Sequence, residues 1–371
     1  MEIRMKLKRF RTFTNIEINS FAKKLILLNS LFLSFSLLVF PDVSKDMAHL
    51  KLISKKDKVD QSIDKGLAWL CSQQDPSTGK FRGSLPNTIT GLACIALMAS
   101  GQQPGRTEYG ENLKKGINFL LRVGKQNGWY FGKEGKGRMY TQGIVTLALC
   151  EAYGMMATHK ENKKIKEGLV LAIRLIVNAQ SKHKGQHNGG WHYEPINRGS
   201  ADLSVSVWQI LVLRSAQNCQ IEIPKETLDL AAGYLRRMYN NTRKSFAYKG
   251  GHKNTPAMAT AGVVGMKVLG LIHTPEDREK VHKSGLILLK VDPNRGSQFY
   301  YQSYYLATAA NVLGKKYRKE FLPKMERTLL KLQLPSGEFK KHSGFLGGAY
   351  STSFAIICLC VRYQYLPIYQ E

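Results

Sequence analysis

Two kinds of helix alternate in the hydrophobic and polar pattern of this chain from Val59 onward. One kind is amphipathic and carries its charges on one face, as Asp64 and Lys65 do in the first such segment. The other kind is almost free of charge, as in residues 88–99 and 351–360. Because a helix that is apolar all round is buried, the uncharged helices are predicted to lie inside and the amphipathic helices outside.

The alternation occurs six times, and a loop that ends on an aromatic residue joins the two helices of each unit. These aromatic residues recur roughly 40–60 residues apart, which indicates a repeat architecture in which each unit is one helical hairpin. The loop aromatics are Phe81, Phe131, Trp191, Phe246, Phe299 and Phe339.

The starts of the uncharged helices carry capping signals. Asp202 stands where an N-cap is expected before the apolar run 203–213, and Thr255 precedes a proline at the first helical position. In the fifth unit the pattern predicts one outer helix over residues 281–289. It places Phe299 and Tyr300 in the loop, with an inner helix from Ser303.

Six hairpins can form an open solenoid or a closed ring. A solenoid usually needs polar capping repeats, whereas the sixth unit ends on an apolar helix and the sequence stops soon afterwards. The sequence therefore predicts an all-α fold, an α/α toroid of six inner and six outer helices, as one domain over residues 49–371.

Residues 1–48 are expected to be a separate targeting segment. Residues 1–24 are basic, and residues 25–40 form an uncharged apolar run. Sixteen residues fall just short of the roughly 17–25 that span a bilayer as a helix. The segment is thus predicted to be a secretory signal peptide or an uncleaved membrane anchor, and the protein exported (periplasmic or secreted) or anchored through residues 25–40.

The formal net charge of the chain is +28, and residues 1–48 supply only +4 of it, from eight Lys/Arg and four Asp/Glu. The remaining charge favours anionic partners such as an anionic membrane surface or an anionic polysaccharide, although a solvated basic surface explains it equally well. Nucleic acid is not an expected partner, because no recognised reading motif is present. The six cysteines form no C-x-x-C pair, so neither a zinc knuckle nor a disulfide framework is predicted.

The repeats also resemble a known family. The pattern K-G-x-x-W-L-x-x-Q followed by G-x-F over residues 65–81, with Gln73 as its glutamine, is similar to the QW-type repeat of squalene and oxidosqualene cyclases. Residues 115–129 and 329–339 resemble it too, and the β subunits of protein prenyltransferases share the same toroid. The resemblance covers about residues 59–363. It implies a terpenoid-cyclase-like toroid in which the glutamine and the aromatic residue tie each hairpin to its neighbour.

The resemblance implies less about chemistry. Cyclases of this family protonate an alkene with an aspartic acid of a D-x-D-D motif, which this sequence lacks; Asp202 is the nearest acidic candidate for a catalytic residue. Residues 202–208 also fit the prenyltransferase zinc motif D-x-C-x-x-F-W, but Ser204 replaces its cysteine. The histidine ligand would fall near Asn254 or Tyr301. No metal site and no cofactor are therefore predicted.

An aromatic cavity inside the ring is the second candidate feature. Its aromatics could accommodate an isoprenoid or a sugar, or they could be ordinary core residues. Asp202 likewise has two interpretations, a carboxylate at the cavity mouth or a helix N-cap. The candidate lining residues are Tyr140, Trp208, Tyr301, Tyr304, Tyr305, Tyr350 and Phe354.

Two functions follow from these observations. The first is a ligand- or partner-binding module of the cell envelope or exterior, with an isoprenoid, another lipid or an anionic polysaccharide as its partner. The alternative is a divergent terpenoid cyclase or prenyltransferase-like enzyme that acts on an isoprenoid with Asp202 and the tyrosine cluster.

Overall fold

A computed structural model describes residues 56–135, 138–196, 199–249, 254–296, 298–340 and 346–369. The predicted signal peptide or anchor in residues 1–48 lies outside the described residues. Lys58–Glu371 form one unit, and in the described part of the chain no helix combines the length and the apolar character needed to cross a membrane.

Six helical hairpins follow one another along the chain, as the sequence pattern predicts. In each of them an outer helix precedes an inner helix, and the fifth outer helix is split in two. In order, the hairpins are α1 (Lys58–Ser72) with α2 (Pro86–Ala99), α3 (Gly110–Gln126) with α4 (Arg138–Ala152), α5 (His159–Ala179) with α6 (Leu203–Asn218), α7 (Lys225–Arg237) with α8 (Pro256–Val268), α9 (Pro275–Gly285) and α10 (Ile287–Lys290) with α11 (Phe299–Val312), and α12 (Lys315–Leu332) with α13 (Gly348–Cys360).

The inner helices form a closed ring. Each packs against the inner helix of the next hairpin, from α2 to α4, α6, α8, α11 and α13, and α13 packs against α2. The outer helices interlock with this ring, because each one packs on the inner helix of the preceding hairpin and α1 packs on α13. The predicted α/α toroid of inner and outer helices is therefore confirmed.

Burial follows the predicted division of the helices. In α2, every residue from Asn87 to Ala99 is buried, whereas α3 buries only one face. The inner helices also carry the expected caps. The Asp202 carboxylate accepts the Val205 N–H at 3.0 Å, and the Thr255 hydroxyl accepts the Met258 N–H at 3.2 Å. The N-cap interpretation of both residues is confirmed.

A glutamine joins one hairpin to the next outer helix at three places in the ring, and two of the three, Gln74 and Gln180, are buried. The Gln74 side-chain amide donates to the carbonyl of Asn112 at the start of α3 at 2.9 Å, and Gln180 donates to Thr227 on α7 at 2.9 Å. Gln333 donates to Ser62 on α1 at 2.8 Å. The bond that closes the ring thus has the same chemistry as the bonds within it. In the first repeat the sequence pattern marks Gln73, but Gln73 bonds to Ser72 at the exposed surface and its neighbour Gln74 makes the tie.

Three glycines accompany these glutamines. Gly79, Gly189 and Gly337 have φ angles of +80°, +85° and +94°, and each lies against the backbone of the next outer helix. A Cβ atom on Gly337 would lie 2.2 Å from the Lys65 carbonyl oxygen, and one on Gly189 would lie 2.0 Å from that of Leu230. Only glycine allows both the left-handed backbone and this close approach.

The fifth hairpin departs from its prediction. Its outer helix is not one segment over residues 281–289 but begins at Pro275 and breaks after Gly285, where a Cβ atom would lie 2.7 Å from the Leu313 side chain. The inner helix α11 begins at Phe299, so Phe299 and Tyr300 belong to its first turn rather than to the loop before Ser303. In the fourth hairpin the connection is instead a short antiparallel pair, β1 (Tyr239–Asn240) and β2 (Ser245–Phe246).

Gly337→Ala is expected to lower the free energy of unfolding by about 3 kcal/mol, because the new methyl group adds a clash with the α1 backbone to the cost of a left-handed alanine. Gly314→Ala is the matched control, since Gly314 has a φ of +93° but nothing within 4 Å of its Cβ position. It should cost only about 1 kcal/mol, the backbone term alone. Urea unfolding of both variants measures the difference; equal losses would show that the closing contact between α12 and α1 contributes no stability.

Candidate functional site

A cavity of about 590 Å³ lies where the amino-terminal ends of the six inner helices converge. Every inner helix contributes its second or third residue to the wall: Thr88, Tyr140, Ser204, Met258, Tyr301 and Tyr350. The rest of the described wall is mostly apolar, with Ile144, Leu346 and Phe354 among its members. No Asp, Glu, Lys, Arg or His is among the described residues that line it.

Asp202 lies behind this wall. Its side chain is 0% exposed, and Oδ1 accepts both the Val205 N–H at 3.0 Å and the Ser204 hydroxyl at 2.5 Å. Within the described part of the chain, Oδ2 has no hydrogen-bond partner. Burial raises the pKa of this carboxyl, while the bonds from Ser204 and Val205 and the charge of Lys249 act in the opposite direction.

Ser204 connects the buried carboxylate to the cavity. Its hydroxyl donates to Asp202 and accepts a hydrogen bond from the Tyr140 hydroxyl. Its backbone carbonyl accepts from the Tyr301 hydroxyl at 3.2 Å. The Tyr140 and Tyr301 rings meet edge to face, with centroids 6.3 Å apart. Burial, followed by neighbouring acidic groups, raises the pKa of both phenols well above the usual range, so both keep their protons at neutral pH.

A second pair of phenols completes the polar end of the cavity. The Tyr193 and Tyr248 hydroxyls are 2.8 Å apart, and the Tyr193 ring packs edge to face on Tyr140. Burial and the hydrogen bond with Tyr193 raise the pKa of Tyr248. The sequence pattern did not single out these two residues, because both lie in connecting segments and outside the helices.

The seven aromatic residues predicted to line a cavity fall into two groups. Tyr140, Tyr301, Tyr350 and Phe354 lie on the wall of the cavity. Trp208, Tyr304 and Tyr305 lie deeper in the ring and are at most 1% exposed. The Trp208 and Tyr304 rings stack with centroids 5.2 Å apart and an interplanar angle of 5°. These three residues pack behind the wall, where the Tyr305 ring centroid lies 5.1 Å from that of Tyr301 and the Tyr304 ring centroid 5.5 Å from that of Phe354.

Glu134 is a carboxylate that the sequence pattern did not identify. It follows Phe131 in a 3₁₀ turn, and its two oxygens accept the Asn87 and Thr88 N–H groups at 2.6 and 3.0 Å. It therefore caps α2 from a different hairpin, a relationship that spacing along the chain does not reveal. Burial raises its pKa against these bonds. Like Asp202, it uses its oxygens for a helix terminus beside the cavity.

The residues at the zinc-motif positions do not fit a zinc site. Ser204 donates its hydroxyl proton to Asp202, and Asn254 bonds through its side-chain amide to the Ser245 carbonyl at 3.0 Å. Over the described ranges, no group of three or more His, Cys, Asp or Glu side chains could hold a metal ion. Glu194, the other acid near the third repeat, forms an ion pair with Arg138.

Comparison with known proteins identifies the same toroid fold in solved structures. Neither the family models nor the curated proteins include a match to this sequence. The structure is similar to a GH76A alpha-1,6-mannanase from Salegentibacter sp. HEL1_6, with a TM-score of 0.58 and 12% identity over 82% of this chain and 98% of that one. It is also similar to the type II terpene cyclase MstE from Scytonema in complex with geranylgeranyl dihydroxybenzoate, with a TM-score of 0.53 and 12% identity over 83% and 98%.

An inactive variant of the same mannanase, in complex with alpha-1,6-mannotetrose, matches with a TM-score of 0.57 and 12% identity over 82% of this chain and 98% of that one. At this level of identity the likeness establishes the shared toroid fold. The terpene-cyclase-like architecture inferred from the repeats is thereby confirmed. The chemistry of this chain depends on its own residues and does not follow from the shared fold.

Another buried carboxylate lies at the opposite end of α4. Glu151 is 6% exposed, and its Oε1 accepts the Ser215 hydroxyl at 2.7 Å. Burial raises its pKa from 4.5 to about 7. The folded protein therefore holds a proton there that the unfolded chain has released between these pH values.

Because of this difference, the stabilising contribution of neutral Glu151 is complete below pH 4.5 and is lost as the pH rises to about 7. The expected loss is about 3 kcal/mol, since each pH unit corresponds to about 1.4 kcal/mol. Glu151→Gln should flatten the stability profile over this window and be the more stable form above pH 7. Denaturant unfolding from pH 4.5 to 8 tests this, and an unchanged slope in the variant would contradict it.

Proposed function

We propose that this chain is a non-catalytic binding protein whose central cavity holds a neutral, mainly apolar molecule with one polar end. The observation that carries the proposal is the composition of the described wall, which is mostly apolar and aromatic and contains no ionisable acid or base at neutral pH. Its polar side chains other than the phenols are uncharged: Thr88, Ser204, Thr255, Gln298 and Gln302. A volume of about 590 Å³ is within the range of small-molecule sites.

The lining supports an isoprenoid or similar lipid better than a carbohydrate. A sugar has hydroxyl groups around its whole ring and needs many polar partners, whereas this wall is mostly apolar, with Ile144, Met258 and Phe354 among its members. The bound geranylgeranyl compound of the similar cyclase and the bound mannooligosaccharide of the similar mannanase represent these two ligand classes.

The positions of the carboxylates support binding rather than catalysis. Acid catalysis on an alkene or a glycosidic bond requires a carboxyl group that reaches the reacting atoms. Asp202 and Glu134 both lie beside the cavity, but neither is on its wall and each caps an inner helix. Both Glu134 oxygens and Asp202 Oδ1 already accept hydrogen bonds from helix backbone, and Asp202 Oδ2 is buried.

We further propose where the protein is located and which partners its surface contacts. Residues 1–48 would export the chain or anchor it through residues 25–40, and residues 49–371 would form the single binding domain. The positive charge of this domain would favour an anionic membrane surface or polysaccharide near the bound lipid.

One observation favours the alternative of a divergent cyclase. The hydrogen-bonded series from Asp202 through Ser204 to Tyr140 connects a buried carboxyl group of raised pKa to the cavity wall. A proton could reach a bound isoprenoid along it. The raised pKa makes Asp202 a weaker acid, however, while protonation of an alkene requires a strong one.

Ala257→Phe is expected to weaken the binding of a C15 isoprenoid alcohol, farnesol, by at least about tenfold. Ala257 lines the cavity, so the new ring would occupy part of the volume that the ligand needs. Ala157→Phe makes the same change at an exposed position and should leave binding unchanged. Calorimetric titration of the full chain measures both. Native mass spectrometry of protein purified without added ligand should in addition show a bound neutral lipid. If farnesol does not bind the unmodified protein, the proposed ligand class is wrong.

Asp202→Asn separates the two functions. The amide oxygen can still accept the Val205 N–H, so farnesol binding should stay within about tenfold of the wild type, and neither protein should convert a linear isoprenoid. Gas chromatography of the extracted ligand detects conversion. Cyclised product from the wild type and none from Asp202→Asn would establish the enzyme, and a loss of binding beyond 100-fold would contradict the purely structural role of Asp202.

A further inference from the structure

The hydrogen bonds at the polar end of the cavity have a fixed direction, and Asp202 sets it. Oδ1 accepts the Val205 N–H, so this oxygen serves as an acceptor whether the carboxyl group is ionised or carries its proton on Oδ2. The Ser204 hydroxyl, 2.5 Å away, must therefore donate its single proton to Oδ1.

The use of the Ser204 proton also fixes the direction of the hydrogen bond between Ser204 and Tyr140. Because the only proton of the Ser204 hydroxyl is used on Asp202, its oxygen can take part in a further hydrogen bond only as an acceptor. Tyr140 therefore donates to Ser204 and has no second proton for the cavity. Its remaining lone pair is an acceptor on the cavity wall.

The Tyr301 hydroxyl also uses its proton on Ser204, but on the backbone carbonyl. It donates to the Ser204 backbone carbonyl at 3.2 Å, and a carbonyl can only accept. The Tyr193 and Tyr248 hydroxyls share one hydrogen bond, so one of their two protons lies between them. Around Ser204, the protons of Tyr140 and Tyr301 both point away from the ligand.

We infer that the polar end of the cavity selects a ligand that donates a hydrogen bond, a neutral hydroxyl group on an apolar body, with Tyr140 and Tyr301 as the accepting residues. This inference rests on the proposed function and specifies its ligand. An ether or carbonyl oxygen of the same body would bring a second acceptor against these phenols and would lose its hydrogen bonds to water without replacement.

Farnesol and its methyl ether have the same apolar body and differ in the donor, so they form the test pair. The full chain should bind farnesol about tenfold more tightly than the ether, measured by isothermal titration calorimetry at pH 7. Equal affinities would overturn the inference and leave the proposed function standing. A lack of binding by both compounds would overturn the proposed function together with the inference.

Three variants test the direction of the bonds. Tyr140→Phe should reduce farnesol affinity toward that of the ether while leaving ether binding unchanged, which also shows that the cavity is intact. Ser204→Ala removes the acceptor of Tyr140 and frees its proton, so the ether should gain affinity and the preference should fall below about threefold. Asp202→Asn keeps an accepting oxygen and should retain the preference.

Tyr153→Phe is the matched control for the phenol substitutions, because Tyr153 is a partly buried phenol that does not line the cavity. It should not change the ratio of the two affinities. A preference that survives both Tyr140→Phe and Ser204→Ala would overturn the assignment of Tyr140 as the acceptor.

Discussion

The hydrogen bonds of three glutamine side chains tie neighbouring hairpins of the ring together, and one of them closes it. Gln74, Gln180 and Gln333 each bond from the end of an outer helix to the backbone at the beginning of the next outer helix. Beside each glutamine, a glycine lets the two segments approach to a distance that no Cβ atom would allow. These contacts lie between consecutive outer helices, while the amino-terminal ends of the inner helices converge on the cavity.

The central cavity is a consequence of that convergence. Six inner helices that meet at their amino-terminal ends bring partial positive charge to one place, and capping groups have to satisfy their free N–H groups. Asp202 and Glu134 supply negative charge at α6 and α2, and the Thr255 hydroxyl caps α8. Because these carboxylates are used at the helix ends, the described wall is left to apolar side chains and uncharged polar groups. The convergence of the helix ends thus explains both why the carboxylates serve as caps and why the cavity wall is uncharged.

The sequence predicted the ring because charge is distributed so differently between the two kinds of helix. That contrast distinguishes inner from outer helices, but it does not distinguish the sides of a single inner helix. An inner helix such as α11 is apolar all round, so its sequence does not tell which side faces the cavity, and Tyr301 could not be distinguished from Tyr304 and Tyr305. Gln73 and Gln74 are adjacent and chemically identical, and only the path of the chain decides which one turns inward. Glu134 was missed because it caps a helix of another hairpin, a contact across 46 residues.

The bond between Ser62 and Gln333 joins residues that are 271 positions apart, whereas the equivalent bond of Gln74 spans 38. The entropic cost of closing a loop in the unfolded chain grows with the logarithm of this separation. The closing bond therefore costs about 1.7 kcal/mol more in chain entropy than its chemically identical counterpart. Interfaces between consecutive hairpins should therefore form first and the contact between the sixth and the first hairpin last. The cavity is complete only when all six inner helices have met. In kinetic terms, the ability to hold a ligand is the last property that this chain acquires as it folds.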